Sequence, residues 1–501
     1  MSAASRRRLQ HLLQWSPPRY PLLGLMALAL ALFYSSAPPL PLRLAGALAF
    51  TGAVLMLPVG GVAYAMATTP LYLIPAAIDV SGRTLLLPLH EVALLITVGV
   101  VAVRHALLWV MGASPDGALL TPAGAPIPRV TYVPHVLLLV AGIAGVLIAV
   151  PEGRGAALRE FRWLVVEPLL FYGLLHQQRR FGLVTGSFVL SGALVALVGL
   201  AQFAGLDLVP WIGEKRAFSD NVIAIDGVRR VTSVYGHPNN LGLYLERVWP
   251  LAAALAAGIG RTAHGWQRAT KVNVLFFAVC ALITLSGVVV SFSRGAWLAS
   301  ALAAIVLASG WLVQRSASAS SAGNHLVRRL PLLPGGALIV MVIALALTLR
   351  GGPGGGSTDA RLLLWQESFA YLQRAPLGLG LDQFYYYHNP EYGRSLIDPS
   401  LVGTSEQFAA HPHNLLLEAW LNLGPVGTLA LGWLLLRFYR RALAALPAGG
   451  DPALPGALAA MSAGVLHGLV DRFYFVPDLA FVFWLLLAIA EQRQCDTMNN
   501  P

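Results

Sequence analysis

Apolar stretches separated by short polar ones follow one another from near residue 21 to near residue 490. A helix crossing hydrocarbon needs roughly 20 predominantly apolar residues. Windows approaching that length fall at about 21–36, 42–59, 61–78, 89–111, 133–150, 162–176, 184–205, 241–259, 273–291, 295–313, 331–349, 413–438, 453–470 and 474–490. The second, third and sixth are short. The pattern predicts an all-α fold, a polytopic transmembrane helix bundle of about 12–14 helices, with no room between windows for a large soluble domain. It divides into N-terminal helices within 1–180, central helices within 181–349 enclosing an outer loop at 206–240, a long outer loop at 350–412, C-terminal helices within 413–490, and a cytoplasmic tail at 491–501.

The long loop has a pattern of its own. It opens with "RGGPGGGSTDARLLLWQESFAYLQRAP", where the glycines give a flexible exit and Ser357, Thr358 or Asp359 is positioned to cap a helix. Leu362, Trp365, Phe369 and Leu372 then share one face, whereas Arg361, Glu367 and Gln373 lie elsewhere. This spacing predicts an amphipathic helix that lies on the outer membrane surface or covers a cavity. The following "LGLGLDQFYYYHNPEYG" reads as turn and loop, its tyrosines either an interfacial belt or a surface for sugar rings. There is no tandem repeat, and the Ser/Ala run at 316–322 reads as a cytoplasmic linker.

Composition narrows the class. Of 501 residues, 56% are hydrophobic and only 11% charged, against roughly 25% charged in soluble domains; the chain is an integral membrane protein. The first apolar run lacks a small-residue cleavage site and reads as a retained helix with the amino terminus in the cytoplasm. That start places "HQQRR" (176–180), Arg261, Arg268, Lys271, Arg315, Arg328, Arg329 and "RFYRR" (437–441) inside, as the positive-inside rule expects. The two cysteines, Cys280 in an apolar window and Cys495 in the tail, imply no disulfide. The net charge of +11 is spread over loops between helices, which favours lipid headgroups or an anionic lipid-linked substrate over nucleic acid. Both outer loops break the topological rule. One carries Lys215, Arg216, Arg229 and Arg230, the other Arg350, Arg361, Arg374 and Arg394, and Arg294 stands at an outer helix junction. Guanidinium groups so placed suit phosphate oxygens, of a bound substrate or of outer-leaflet headgroups.

Candidate chemistry gathers at the same outer helix ends. In "AAHPHNLLLEAWLNLGPVGT" (409–428), a helix starting near residue 412 puts His413, Leu416, Leu417, Trp420, Gly424 and Gly427 on one face, makes Asn414 and Glu418 an i, i+4 pair, and is loosened at Pro425. Exposed N–H groups at a helix amino terminus disfavour an imidazolium, so His413 suits a general base. His413 and Asn414 also read as a cap and anchor. A metal site built on His411 and His413 with Asp382, His388 or Glu391 is a third reading, since zinc takes three or four assembled ligands. In "SGVVVSFSRGAWLAS", Gly287, Ser291, Gly295 and Ala299 recur every four residues, as close helix packing requires, which leaves Arg294 to snorkel or face a polar cavity. In "RRVTSVYGHPNNLGLYLERVWP", Asn239 or Asn240 reads as the helix cap and Glu246 and Arg247 as a mutual pair, while Arg229 and Arg230 are phosphate candidates.

Taken in order over roughly residues 180 to 490, "SVYGHPNNLGLYL", "SFSRGAWLA", "DARLLLWQESFAYLQRAPLGLGLDQF" and the His413 segment resemble the O-antigen ligase and polymerase superfamily of bacterial membrane glycosyltransferases. The ligase pattern of that family, His and a small polar residue, nine residues, Gly, two residues, Gly and Thr or Val, corresponds to His413, Asn414, Gly424, Gly427 and Thr428. The resemblance implies an enzyme of the inner (cytoplasmic) membrane, its site facing the periplasm or outside, with no cofactor and no metal. It would move a glycan from undecaprenyl diphosphate to a sugar hydroxyl of lipid A core or, in a polymerase, of carrier-linked glycan. His413 would be the general base, Arg294 a catalytic partner holding diphosphate with Arg230 and then Arg361, and Arg229, Asn414, His411 and His237 further substrate contacts. A transporter is the competing class, but it would place polar residues near the midplane on broken helices rather than at one face.

Overall fold

The computed structural model describes residues 19–35, 38–80, 83–110, 132–177, 182–206, 208, 229–262, 268–318, 356–448 and 451–498. Lys215, Arg216, Arg350 and the window at 331–349 lie outside them. The described chain is helical almost throughout: α1 Arg19–Tyr34, α2 Leu40–Met56, α3 Pro58–Thr68, α4 Leu89–Val110, α5 Val133–Leu147, α6 Arg154–Phe161, α7 Glu167–His176, α8 Gly182–Phe203, α9 Pro238–Thr262, α10 Arg268–Val290, α11 Arg294–Ser318, α12 Gly356–Arg374, α13 Phe384–His388, α14 Leu415–Ala445, α15 Ala453–Gly468 and α16 Pro477–Met498. By length and composition, α4, α8, most of α10 and α11, and α14 can each cross a membrane; α1, α2, α5 and α15 are apolar but shorter. The chain is therefore a multi-pass membrane protein of all-α class.

Two compact units divide it, residues 1–126 with 169–191 and residues 127–168 with 192–501. In the first, the window at 61–78 is not one span. α3 ends at Thr68, a 3-10 turn containing Pro70 follows, and Ala76–Val80 (β1) pairs antiparallel with Arg83–Leu87 (β2), Ala76 facing Leu87. Pro70 has no N–H to continue a helix, and the β-branched Ile78 and Val80 suit the strand. Arg43 is buried and donates to Phe33 O at 3.0 Å and Ala77 O at 2.7 Å.

In the second unit α9 is central, against α10, α11 and α15. Small residues let these helices approach closely: a side chain at Gly242 would overlap Ala296, one at Gly456 would overlap Ala254, and one at Gly464 would overlap the guanidinium of Arg247. Gly287 likewise meets Leu245 and Ala196, but Gly295, in the same sequence series, faces the ring of His467. Glu246 and Arg247 do not form the expected mutual pair. Glu246 Oε2 lies 2.7 Å from His467 Nδ1, and Arg247 donates to Phe473 O at 2.9 Å with its guanidinium over the Phe473 ring.

α14 is bent. Gly424 has φ 64° and ψ −174°, and Pro425 removes the N–H that would bond Leu421 O. The freed carbonyl is taken by the N–H groups of Leu379, 2.7 Å, and Gly380, 3.1 Å, so the glycine-rich segment after α12 docks into the kink. α12 buries Leu364, Glu367, Ser368 and Tyr371, while Leu362 and Phe369 are exposed. Trp365 and Leu372, on the same predicted apolar face, are half-buried, so that face lies partly at the surface. The inward face is fixed instead by a polar network: Glu367 accepts from Tyr371 Oη at 2.7 Å and sits 2.8 Å from His388 Nδ1, whose Nε2 is 2.7 Å from Glu406 O.

Candidate functional site

Three chain breaks bring polar residues together. Before α9, Ser233 takes a left-handed backbone (φ 50°) and Gly236 turns the chain into Pro238, the first helical residue. The helix cap is His237 rather than an asparagine: its Nδ1 accepts from Asn239 N at 3.2 Å. Between α10 and α11, Phe292 is left-handed at φ 50° and Ser293 Oγ accepts from Ala296 N at 3.4 Å, leaving Arg294 at the helix start. Before α14, His413 lies outside the helix at φ 51° instead of on its face, and Asn414 caps it, accepting from Leu416 N at 3.0 Å and Leu417 N at 3.1 Å. Asn414 does not pair with Glu418. Its amide donates to Leu469 O at 3.0 Å, and Glu418 meets Arg472 at 3.3 Å.

Two cavities open on these breaks. One of about 140 Å³ is lined by Arg230, Arg294, Arg361, Asn239, Gly295 and His467, among others. A second of about 480 Å³ is lined by His237, His411, His413, Asp471 and Arg472, and again by Arg230, Asn239 and Arg361. The shared residues form a common wall. Arg230 is fixed in it, donating from Nη2 to Asn239 Oδ1 at 3.3 Å and from Nε to Ser291 O at 3.4 Å. Burial, then the charges of Arg294 and Arg361, push the Arg230 guanidinium below its ordinary pKa. Arg229 lines neither cavity and donates to Gln202 O at 2.9 Å, at the carboxyl end of α8. Arg394 pairs with Glu152 at 3.2 Å, away from both.

Asp471, between α15 and α16, is the hub of the larger cavity. Oδ2 accepts from Asn239 Nδ2 at 2.9 Å and lies 3.8 Å from Arg361 Nη2; Oδ1 lies 3.3 Å from His413 Nδ1 and 3.6 Å from His411 Nε2. Burial raises the Asp471 carboxyl, but His413 and the hydrogen bonds from His411 and His413 outweigh it and hold the pKa well below the usual range. With Nδ1 donating to this carboxylate, His413 keeps its Nε2 lone pair for another proton. The backbone of His413 is held by Trp365 Nε1, which donates to His413 O at 3.3 Å. His411 is kept neutral by burial, then by Arg472 and His413. His237 is lowered to about 4, chiefly by burial and, against the pull of Asp471, by His413, Arg230 and Arg361; the neutral ring is what its cap requires.

The donor atoms of His411, His413 and Asp471 all lie within 4.8 Å of one another, so these three form a possible metal set. The third member is Asp471, not the Asp382, His388 or Glu391 expected from sequence: Asp382 meets Arg159 at 3.0 Å, His388 meets Glu367, and Glu391 receives Asn389 Nδ2 at 3.3 Å. Against a divalent cation stand Arg361 and Asn239 on the other carboxylate oxygen and the charges of Arg230 and Arg472 beside it.

Asp471, Arg472 and His467 escaped the sequence reading. The signal was present: threading leaves only 471–473 between the last two windows, at the face of the two basic loops. Residues 278–432 match the family model described as O-Antigen ligase. That segment holds Arg294, Arg361, His411 and His413 and ends before Asp471. No curated protein matches the chain.

Proposed function

This chain belongs to the O-antigen ligase superfamily through its domain at residues 278–432, and from that premise we propose that it transfers a glycan from undecaprenyl diphosphate to a sugar hydroxyl of lipid A core at the outer face of the bacterial inner membrane. The observation that carries the proposal is the common wall between a cavity of three arginines and a cavity of histidines on one carboxylate.

The chemistry follows from the charges. A glycosyl diphosphate is already activated, and breaking its C1–O bond adds negative charge to the leaving phosphate. Arg230, Arg294 and Arg361 lie where they would take up that charge without a metal. Across the wall, His413 Nε2 would remove the proton of the acceptor hydroxyl as its oxygen bonds to C1, and Asp471 would hold the ring and stabilise the imidazolium that forms. His411 and His237, both neutral, would contact sugar hydroxyls rather than phosphate. One displacement on one face of the sugar gives inversion at C1.

Purified protein in detergent, given carrier-linked glycan, is expected to label lipid A core in the presence of a chelator. His413→Ala and Arg294→Ala should insert normally and lose transfer. Ladders on the carrier would make the protein a polymerase with the same site. Wild-type turnover by either variant would remove the role assigned to that residue, and loss of activity to chelator would restore the metal reading.

A further inference from the structure

The smaller cavity has a wall that this scheme leaves unused. His467, on α15, is 2% exposed; its Nδ1 is 2.7 Å from Glu246 Oε2, and Glu246 is fully buried on α9. The opposite edge of the ring, carrying Nε2, lies against Gly295 in the wall shared with Arg294, so closely that any side chain at 295 would overlap it. A histidine that merely tied α9 to α15 would need its bond to Glu246 and nothing more. Here the following residue of α11 is reduced to glycine, and the free ring edge meets the space framed by the three guanidinium groups.

We propose that His467, oriented by Glu246, is the acid for the leaving group: its Nε2–H contacts the carrier diphosphate and protonates it as the sugar departs. The inference rests on the transferase reading. As the sugar C1–O bond breaks, the electron pair stays on the phosphate oxygen, which takes the proton from His467 Nε2. The acceptor oxygen bonds to C1 and gives its proton to His413. The products are the glycosylated acceptor and protonated carrier diphosphate, with His467 neutral and His413 protonated, and exchange with water restores both. Glu246, bonded to Nδ1, acts as a positioning residue. The charges facing the ring are Glu246 and Arg247 from α9, Arg230, Arg294 and Arg361 from the cavity, and Asp471 beyond the end of α15.

The test is kcat against pH for full-length protein with carrier-linked glycan. Wild type should show a bell, its acid limb from His413 and its alkaline limb from His467. His467→Gln should lower kcat about 10²-fold and abolish the alkaline limb with the acceptor KM unchanged. Glu246→Gln, which keeps the shape of the dyad, should move that limb to lower pH, and it decides the matter if His467→Gln fails to fold. A folded His467→Gln with wild-type kcat and both limbs, or an unmoved limb in Glu246→Gln, overturns the inference and leaves the transferase reading standing. A folded wild type that transfers nothing overturns that reading instead.

Discussion

Asp471→Asn isolates the role of the hub, because the change keeps the volume and removes one charge. In the native site the carboxylate faces Arg361 Nη2 at 3.8 Å, His413 Nδ1 at 3.3 Å and Asn239 Nδ2 at 2.9 Å. At an effective dielectric near 20, a unit pair at that arginine distance is worth about 4 kcal/mol. The amide carries one acceptor where the carboxylate offers two. If its oxygen keeps His413, its NH₂ faces the amide of Asn239 and the guanidinium of Arg361. If it serves those two, it presents NH₂ to a histidine that must then change tautomer and lose its free Nε2. Either arrangement leaves a buried donor unpaired, at about 1–3 kcal/mol, and the second removes the base. Turnover is expected to fall about 10²–10⁴-fold, the range for a lost or misoriented general base. Initial transfer rates, with thermal unfolding to establish that the variant folds, give the readout. The carboxyl is held well below its unfolded value, so its contribution is present above the ordinary carboxylate pKa and lost only as pH falls through the lower folded one. The stability deficit of the variant should accordingly be constant from pH 6 to 9. A folded Asp471→Asn within about threefold of wild type, less than 1 kcal/mol, would refute the hub.

The other expectations concern single features of the same end of the helices. Arg230→Ala and Arg361→Ala should each weaken binding of carrier diphosphate by 2 kcal/mol or more, about 30-fold, measured by displacement of labelled carrier, whereas Arg229→Ala, whose side chain is spent on Gln202 O, should leave binding unchanged. His237 has a folded pKa of about 4, below the ordinary 6.5 of an imidazole. The contribution of its cap is therefore complete above pH 6.5 and lost as pH falls toward 4. His237→Ala should lower the melting temperature at pH 8, by about 1 kcal/mol of stability, and progressively less toward pH 5. Gly424→Ala places a Cβ against Leu377 O at a φ of 64°; the strain, about 1–3 kcal/mol, should appear as a lower melting temperature, and an unchanged one would mean the kink relaxes freely.

The helices and half of the site were legible in the sequence because both obey short-range rules. Apolar run length located α4, α8, α10, α11 and α14, which are long and apolar enough to cross a membrane, and arginines placed against the topological rule led to Arg230, Arg294 and Arg361, which one cavity does bring together. The misses have a common cause in long-range partners. Glu246 looked paired with its neighbour Arg247, but each is taken by a distant partner: Glu246 by His467, 221 positions away, and Arg247 by Phe473 O, 226 positions away. Asp471 sits in a three-residue turn whose importance comes from the loop ends that converge on it. On α12 the spacing separated Leu362 and Phe369, which are exposed, from Glu367, but not the inward pairing of Glu367 with His388, which is set by a residue 21 positions away.

Strain shows why this end of the protein is built for chemistry rather than for the stability of its helices. The non-glycine residues with left-handed backbones among the described residues are Ser233, Phe292, Asp382 and His413, and each such position costs on the order of 1–3 kcal/mol. Phe292 and His413 line the two cavities. Ser233 follows Arg230 at the entry to α9, its N–H tied to Gln202 Oε1 at 2.7 Å and its hydroxyl to Val195 O at 2.7 Å. A helix continued through residue 413 would put the imidazole on the outer surface of α14. Broken there and capped by Asn414, the chain turns the ring back onto Asp471. A continuous helix through Phe292 would likewise engage Ser291 O within the helix, whereas the break leaves that carbonyl for Arg230 Nε. In each case a backbone hydrogen bond or a favourable φ is given up so that a charged or basic group is fixed before substrate arrives. In the proposed reaction, charges fixed in advance would need no reorganisation as a leaving diphosphate develops its own, a physical reason for strain at the breaks that border the two cavities.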